Sequence, residues 1–171
     1  MQITHSNGIP EEYKQQIKDL LILCDSEFIP PLSFRTSSTQ QDLKLDEQKQ
    51  RSIDSYFACT CAQINNFIIK KDKVIGFMSY IEDTVTNPEV YISTIIVHPD
   101  YRQEQCAQKL YQYIFQHYTN TKIRVRTWST NVGHINLLSR LGFSEYRRMK
   151  DDRGEGIDTI YFEITKNKKE E

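Results

Sequence analysis

The hydrophobic pattern changes its period sharply near the middle of the chain. Across residues 91–97, Tyr91, Ser93, Ile95 and Val97 alternate with Ile92, Thr94 and Ile96, a run of β-branched and aromatic types that predicts a strand covered on both faces. The run breaks at His98-Pro99. Apolar residues then recur at Ala107, Leu110, Tyr111, Ile114, Phe115 and Tyr118, the spacing of one helical face. A strand therefore feeds a helix over 102–118 through a short polar loop. In that arrangement the N–H groups of the first helical turn, at 102–107, face outward and suit an anion such as a pyrophosphate. A strand-turn-helix with no ligand shares the pattern, so both readings stand at this point.

Upstream, Pro10 followed by Glu11 and Glu12 reads as a first helical turn, where a missing N–H costs nothing and acids favour the positive helix end. Tyr13, Ile17, Leu20, Leu21 and Cys24 form its apolar stripe, and Pro30-Pro31 forbids its continuation. Residues 28–41, rich in Pro, Ser and Thr, read as a long loop, and 42–55 carries a weaker stripe of Leu43, Leu45 and Ile53. From Asn66 the period becomes two. Segments 67–70 and 74–82 flank a turn at Lys71-Asp72-Lys73, and 83–89 leads into the 91–97 strand, so three strands make an antiparallel meander. Beyond the central helix, Ile123, Val125 and Thr127 alternate within a strand over 122–128, which a helical crossover makes parallel to 91–97. Residues 131–141 read as a short helix closed by Gly142. Segments 143–149 and 157–164 then pair as a hairpin around Asp151-Asp152-Arg153-Gly154.

A chain of 171 residues that is 38% hydrophobic and 26% charged suits one globular domain. Residues 1–5 lack a basic start and an apolar core, and no run approaches a membrane span, so the expected location is the cytosol, away from membranes. Cys24, Cys59, Cys61 and Cys106 lack metal-type spacing, and neither a metal site nor a disulfide is expected. The net charge of −1 argues against a nucleic-acid partner. Its distribution is uneven: residues 102–153 hold ten Lys/Arg against four Asp/Glu, and the remainder holds twelve against nineteen. A basic half suits a polyanionic cofactor and an acidic half a cationic amine, although solvated surface alone accounts for such unevenness.

Two stretches resemble a known family. Val97-x-Pro99-x-x-Arg102-x-x-x-x-Ala107 resembles the central motif of the GCN5-related N-acetyltransferases (GNAT), whose Arg/Gln-x-x-Gly-x-Gly/Ala loop holds the pyrophosphate of acetyl-CoA. Residues 131–143, NVGHINLLSRLGF, resemble its second motif, Asn-x-x-Ala-x-x-x-Tyr-x-x-x-Gly-Phe. The resemblance covers most of 66–164. It implies an α/β (α+β) fold: a mixed, mostly antiparallel sheet with a central parallel pair, flanked by about four helices. The domain is read as one N-acetyltransferase-like unit, with a helical N-terminal part and substrate loop at 1–65, a cofactor-binding core at 66–164 and a tail at 165–171. The sequence departs from the motifs at Gln105, which stands at the first Gly, at Glu104, at Leu138, which stands at the Tyr, and at His134. A side chain at Gln105 narrows the backbone's approach to phosphate, and a carboxylate at Glu104 must turn outward.

The resemblance further implies acetyl-CoA as co-substrate. Its pantetheine would pair along Ile95, Ile96 and Val97, and its phosphates would rest on Arg102, Gln103, Glu104, Gln105, Cys106, Ala107 and Gln108, with Asn131 nearby. A backbone N–H near Ile95 or Ile96 would face the thioester oxygen, a contribution worth ~3 kcal/mol. Leu138 cannot donate a proton, but a thiol with a pKa of about 8.5 leaves well unaided. His134, one turn from Leu138 and near a helix start, is a candidate base whose neutral form is favoured; capping or packing is its other reading. Glu82 and Asp158 are further candidates for the base, as is Glu89, each readable as a solvated strand end or ion-pair partner. In this family the 28–41 region covers the acceptor, so Arg35, Ser33 and Thr36 are candidates for substrate contact. Trp128 reads as a cleft or a core aromatic. The leading expectation is acetyl transfer to a small-molecule or peptide primary amine. The alternatives are a catalytically weak CoA-binding or ligand-sensing module, and an interaction protein that forms a homodimer through its sheet edge or closing hairpin.

Overall fold

The computed structural model describes residues 1–35, 44–83 and 88–166. Among them, seven strands form one mixed sheet: β1 (Gln2–Asn7), β2 (Ile64–Lys70), β3 (Lys73–Asp83), β4 (Glu89–Val97), β5 (Lys122–Trp128), β6 (Ser144–Met149) and β7 (Thr159–Thr165), in the order β1-β2-β3-β4-β5-β7-β6. The helices are α1 (Glu11–Leu23), α2 (Leu45–Cys61), α3 (Cys106–His117) and α4 (Val132–Leu141). β4 and β5 run parallel, with Glu89–Ile92 in register with Lys122–Val125, while β1–β2, β5–β7 and β6–β7 are antiparallel. The expectations for Thr36, Leu43 and the tail beyond Lys166 lie outside the described residues. Contacts gather the chain into two compact units, Met1–Ser79 with Thr94–Ala107, and Tyr80–Ser93 with the chain from Gln108 onward.

In the first unit, α1 begins at Pro10 with Glu11 and Glu12 in its first turn and buries Ile17, Leu20 and Leu21. These pack with Ile9, Leu32, Ile53, Phe67, Val74, Phe77 and Ile96. β2 and β3 are joined by Lys71 and Asp72, both at positive φ, the two-residue turn whose twist matches a hairpin. Buried Asn65 bonds back to the carbonyls of Thr60 and Gln63 and accepts from Ser79, which explains a polar start to an otherwise apolar strand. A Cβ on Gly76 would meet the Ile96 carbonyl at 3.0 Å, so this position of β3 needs a residue without one. α2 runs to Cys61, beyond its expected end at Ser55, and places Cys59 and Cys61 in one helix. β1 lies outside the sequence expectations altogether: its six mostly polar residues give no period-two signal, and β2 supplies its partners.

The second unit buries Tyr80, Val90, Ile92, Leu110, Tyr111, Ile114, Ile123, Val125, Leu138, Phe143, Ile160 and Phe162. Tyr111 and Phe115 both contact the ring of Phe143, with centroids 5.5 and 6.0 Å away. Asn131 caps α4 and Gly142, at φ 90°, ends it in the left-handed conformation, as its sequence implies.

Two further expectations differ from the structure. β4 is not equally covered on both faces: Val90, Ile92, Thr94 and Ile96 are buried, while Tyr91, Ser93 and Ile95 are half-buried. The helix expected over 102–118 starts only at Cys106. A 3-10 turn at Pro99–Glu104 and a left-handed Gln105 precede it, because the α-helical hydrogen-bond ladder cannot pass through a residue at φ 58°.

Candidate functional site

The turn between β4 and α3 is held from several sides. The His98 N–H donates to the Ile75 carbonyl at 2.8 Å, and its Nδ1 accepts from the Asp100 N–H at 3.3 Å. Arg102 Nε donates to the Val97 carbonyl, and its Nη2 donates to both carboxylate oxygens of Glu27 at 2.7 and 2.8 Å. Lys70 Nζ donates to Glu104 at 2.5 Å and lies 5.1 Å from the Tyr101 ring centre. Buried Cys106 places its thiol against the Tyr101 carbonyl. So the guanidinium of Arg102 clamps the turn rather than projecting from it, and the charge of Glu104 is matched by Lys70.

Gln105 is exposed, with φ 58° and ψ 27°. A left-handed residue after a right-handed turn makes successive backbone N–H groups converge, the geometry of an anion cradle. Directly after it, the first turn of α3 presents N–H groups that the helix itself does not use. The residues thus fit a phosphate held by backbone, with Glu104 neutralised and Ala107 contributing little bulk. Ile96 and Val97 are buried and Ile95 is half-buried in the strand that leads here. The parallel register with β5 ends at Ile92, although β4 continues to Val97.

The candidate bases are each engaged. His134 Nε2 lies 2.8 Å from the Tyr111 hydroxyl and Nδ1 lies 3.2 Å from the Thr127 hydroxyl, while its N–H donates to the Asn131 side chain at 3.3 Å. Burial lowers the imidazole to about 4 and raises the buried Tyr111 hydroxyl above its ordinary value. The lowering has the direction expected near a helix start, but its cause is burial. Leu138 is fully buried. Glu82 accepts from the Tyr118 hydroxyl, whose pKa is raised by burial and by that carboxylate. Asp158 accepts from Arg148 at 3.0 Å and from the Asp151 N–H at 3.1 Å, and Arg148 holds it below the usual carboxylate range. Glu89 pairs with Arg124 at 2.9 Å beside a polar pocket of about 390 Å³ at the start of β4 and β5. Arg153 covers Trp128 at 5.2 Å.

Of the loop candidates, Ser33 is buried and donates to Asp25 through its hydroxyl at 2.6 Å and its N–H at 2.8 Å. Arg35 lies over two rings, 5.6 Å from the centre of Phe28 and 5.7 Å from that of Tyr56. The Tyr56 hydroxyl shares a 2.6 Å hydrogen bond with Thr94 on β4. Sequence reading missed Glu27, Lys70, Tyr56 and Thr94, because nothing local marks a residue whose role lies in a partner far along the chain.

A family model described as the acetyltransferase (GNAT) family matches residues 20–143. Among solved structures, an aminoglycoside 6'-N-acetyltransferase complexed with coenzyme A matches over 100% of both chains with a TM-score of 0.68 and 14% identity. The aminoglycoside 6'-N-acetyltransferase from Enterococcus faecium also matches over 100% of both chains, with 0.66 and 13%. The ribosomal-protein-S18-alanine N-acetyltransferase from Escherichia coli matches over 99% of this chain and 97% of its own, with 0.68 and 16%. At these identities the likeness is one of fold. No curated protein sequence matches.

Proposed function

The chain belongs to the GNAT acetyltransferase family, and on that premise we propose that it moves an acetyl group from acetyl-CoA to a primary amine by direct attack. The observation that carries this reading is the β4–α3 turn, where Gln105 is left-handed, Arg102 is clamped to Glu27 and Glu104 is neutralised by Lys70. Backbone N–H groups from Gln103 to Gln108 take the pyrophosphate, with Arg102 holding their loop in shape. Along Ile95–Val97 the strand edge takes the pantetheine, and an N–H there polarises the thioester carbonyl. Bound acetyl-CoA supplies an activated acyl carbon and a leaving group that departs as thiolate. Asn131 contributes by capping α4.

An attacking amine with a pKa near 10 must first lose a proton. His134 holds a Tyr and a Thr on its two nitrogens, and Asp158 is fixed by Arg148. Water is therefore the proposed acceptor of that proton. The same engagement favours a second reading, a CoA-binding module with weak turnover. Free-thiol release with a panel of polyamines, aminoglycosides, amino acids and peptide N-termini separates the two: release identifies a transferase, and cofactor binding without release identifies the module. Ala107→Glu places bulk and charge against the cradle, while an acid in a first helical turn leaves α3 stable. Acetyl-CoA affinity is expected to fall at least tenfold in this variant; unchanged affinity would put the phosphates elsewhere.

A further inference from the structure

Arg35, Phe28 and Tyr56 are arranged as a filled cation site. The Phe28 and Tyr56 rings meet edge to face, centroids 6.2 Å apart, and the one guanidinium lies within 6 Å of both. Arg35 Nε is steered by the Pro30 carbonyl at 3.2 Å, and the segment carrying Phe28 is closed by Asp25 bonding to Ser33. The Tyr56 hydroxyl reaches Thr94, the residue before Ile95, at 2.6 Å. Tyr56 thus links the ring pair to the strand to which acetyl transfer is assigned, with Phe28 packed against it at 6.2 Å between ring centres.

We propose that Phe28 and Tyr56 form a slot for a cationic group of the acceptor, occupied in the free protein by Arg35, which the acceptor displaces. This rests on the acetyl-transfer reading and names its substrate class. A group held against aromatic faces as a cation keeps its proton and has no lone pair with which to attack. The acceptor therefore carries at least two amino groups: one stays protonated over Phe28 and Tyr56, and the other, deprotonated, forms the N–C bond as the C–S bond breaks and the thiolate leaves. Aliphatic polyamines and amino sugars share this chemistry. The acidic balance outside residues 102–153 suits such a polycation.

Calorimetric titration of spermidine and, separately, kanamycin into the CoA-saturated protein tests the slot without requiring turnover. Removing the resident cation by Arg35→Ala is expected to tighten binding of whichever amine is the ligand by about two- to fivefold, while Tyr56→Leu weakens it by a similar factor. Arg35→Lys, which keeps a cation at the end of the same segment, is expected to remain near wild type. Arg35 is half-exposed, so the Arg35 pair carries the test even if Tyr56→Leu fails to fold. No binding of either amine, or an Arg35→Ala protein that binds them no better than wild type, overturns the slot. Thiol release with peptide or amino-acid amines alone would overturn the slot and leave acetyl transfer standing. Tight amine binding, strengthened by Arg35→Ala but without thiol release, would keep the slot and remove the transferase.

Discussion

Gln105 carries a cost that its neighbours do not relieve. A left-handed conformation costs an L-residue roughly 1–2 kcal/mol, whereas glycine adopts it freely and loses about 0.5–1 kcal/mol to its greater unfolded-state entropy. The side chain is exposed, so little packing is lost on removing it. Gln105→Gly is therefore expected to stabilise the protein by about 0.5–1 kcal/mol in urea unfolding and to tighten acetyl-CoA binding by opening the backbone to phosphate. A Gln105→Gly protein that is less stable and binds no better would show that the amide side chain contributes a contact of its own. The sequence exposed this position as a departure from a glycine, but not the reason glycine belongs there. That reason is the backbone angle, which becomes visible only once the 3-10 turn before it is in place.

α4 shows how one helix can be anchored by a titratable residue. Its ends are fixed by Asn131 and Gly142, both legible from sequence, and its first turn is tied to Tyr111 and Thr127 by the His134 ring. That tie makes stability depend on pH in a definite direction. An unfolded chain takes up the histidine proton near 6.5, but the folded one only near 4, so this contribution is complete above about 6.5 and is lost as pH falls toward 4. The span corresponds to about 3 kcal/mol. His134→Gln is expected to show a flatter fall in thermal stability between pH 7 and 4 than wild type. At neutral pH it is expected to be less stable by about 1–3 kcal/mol, because one amide group cannot meet both the Tyr111 and the Thr127 hydroxyls as the two ring nitrogens do. Its pH–rate profile is expected to keep the wild-type shape; loss of an inflection near neutrality would instead make His134 the working base. Periodicity placed His134 at the start of a helix, whereas its two ring partners, on α3 and β5, follow from packing alone.

At the scale of the whole molecule, binding and folding are linked. A ligand held at one hundred times its dissociation constant stabilises the native state by about 2.7 kcal/mol, which for a chain of this size raises Tm by roughly 5–10 °C. Saturating acetyl-CoA is expected to produce such a dose-dependent rise, and Ala107→Glu to cut it to about half or less at the same concentration; an unmoved wild-type melting curve would remove acetyl-CoA from the assignment. No helix among the described residues is long and apolar enough to cross a membrane. By itself the sequence determined the succession of elements from α1 through the closing hairpin, the parallel pairing of β4 with β5 and the polar turn that joins β4 to α3. These rest on side-chain periodicity, Pro and Gly positions and short motifs, all of which act within a few residues. Tertiary structure alone decided that polar residues 2–7 form an edge strand, that α3 begins at Cys106, that Arg102 turns to Glu27 and Glu104 to Lys70, and that Arg35 rests on Phe28 and Tyr56. The pairings of β1 with β2, Arg102 with Glu27, Glu104 with Lys70 and Arg35 with Tyr56 join residues far apart in the chain and so leave no trace in local pattern, and the start of α3 follows from a backbone angle at Gln105 that side-chain periodicity does not encode.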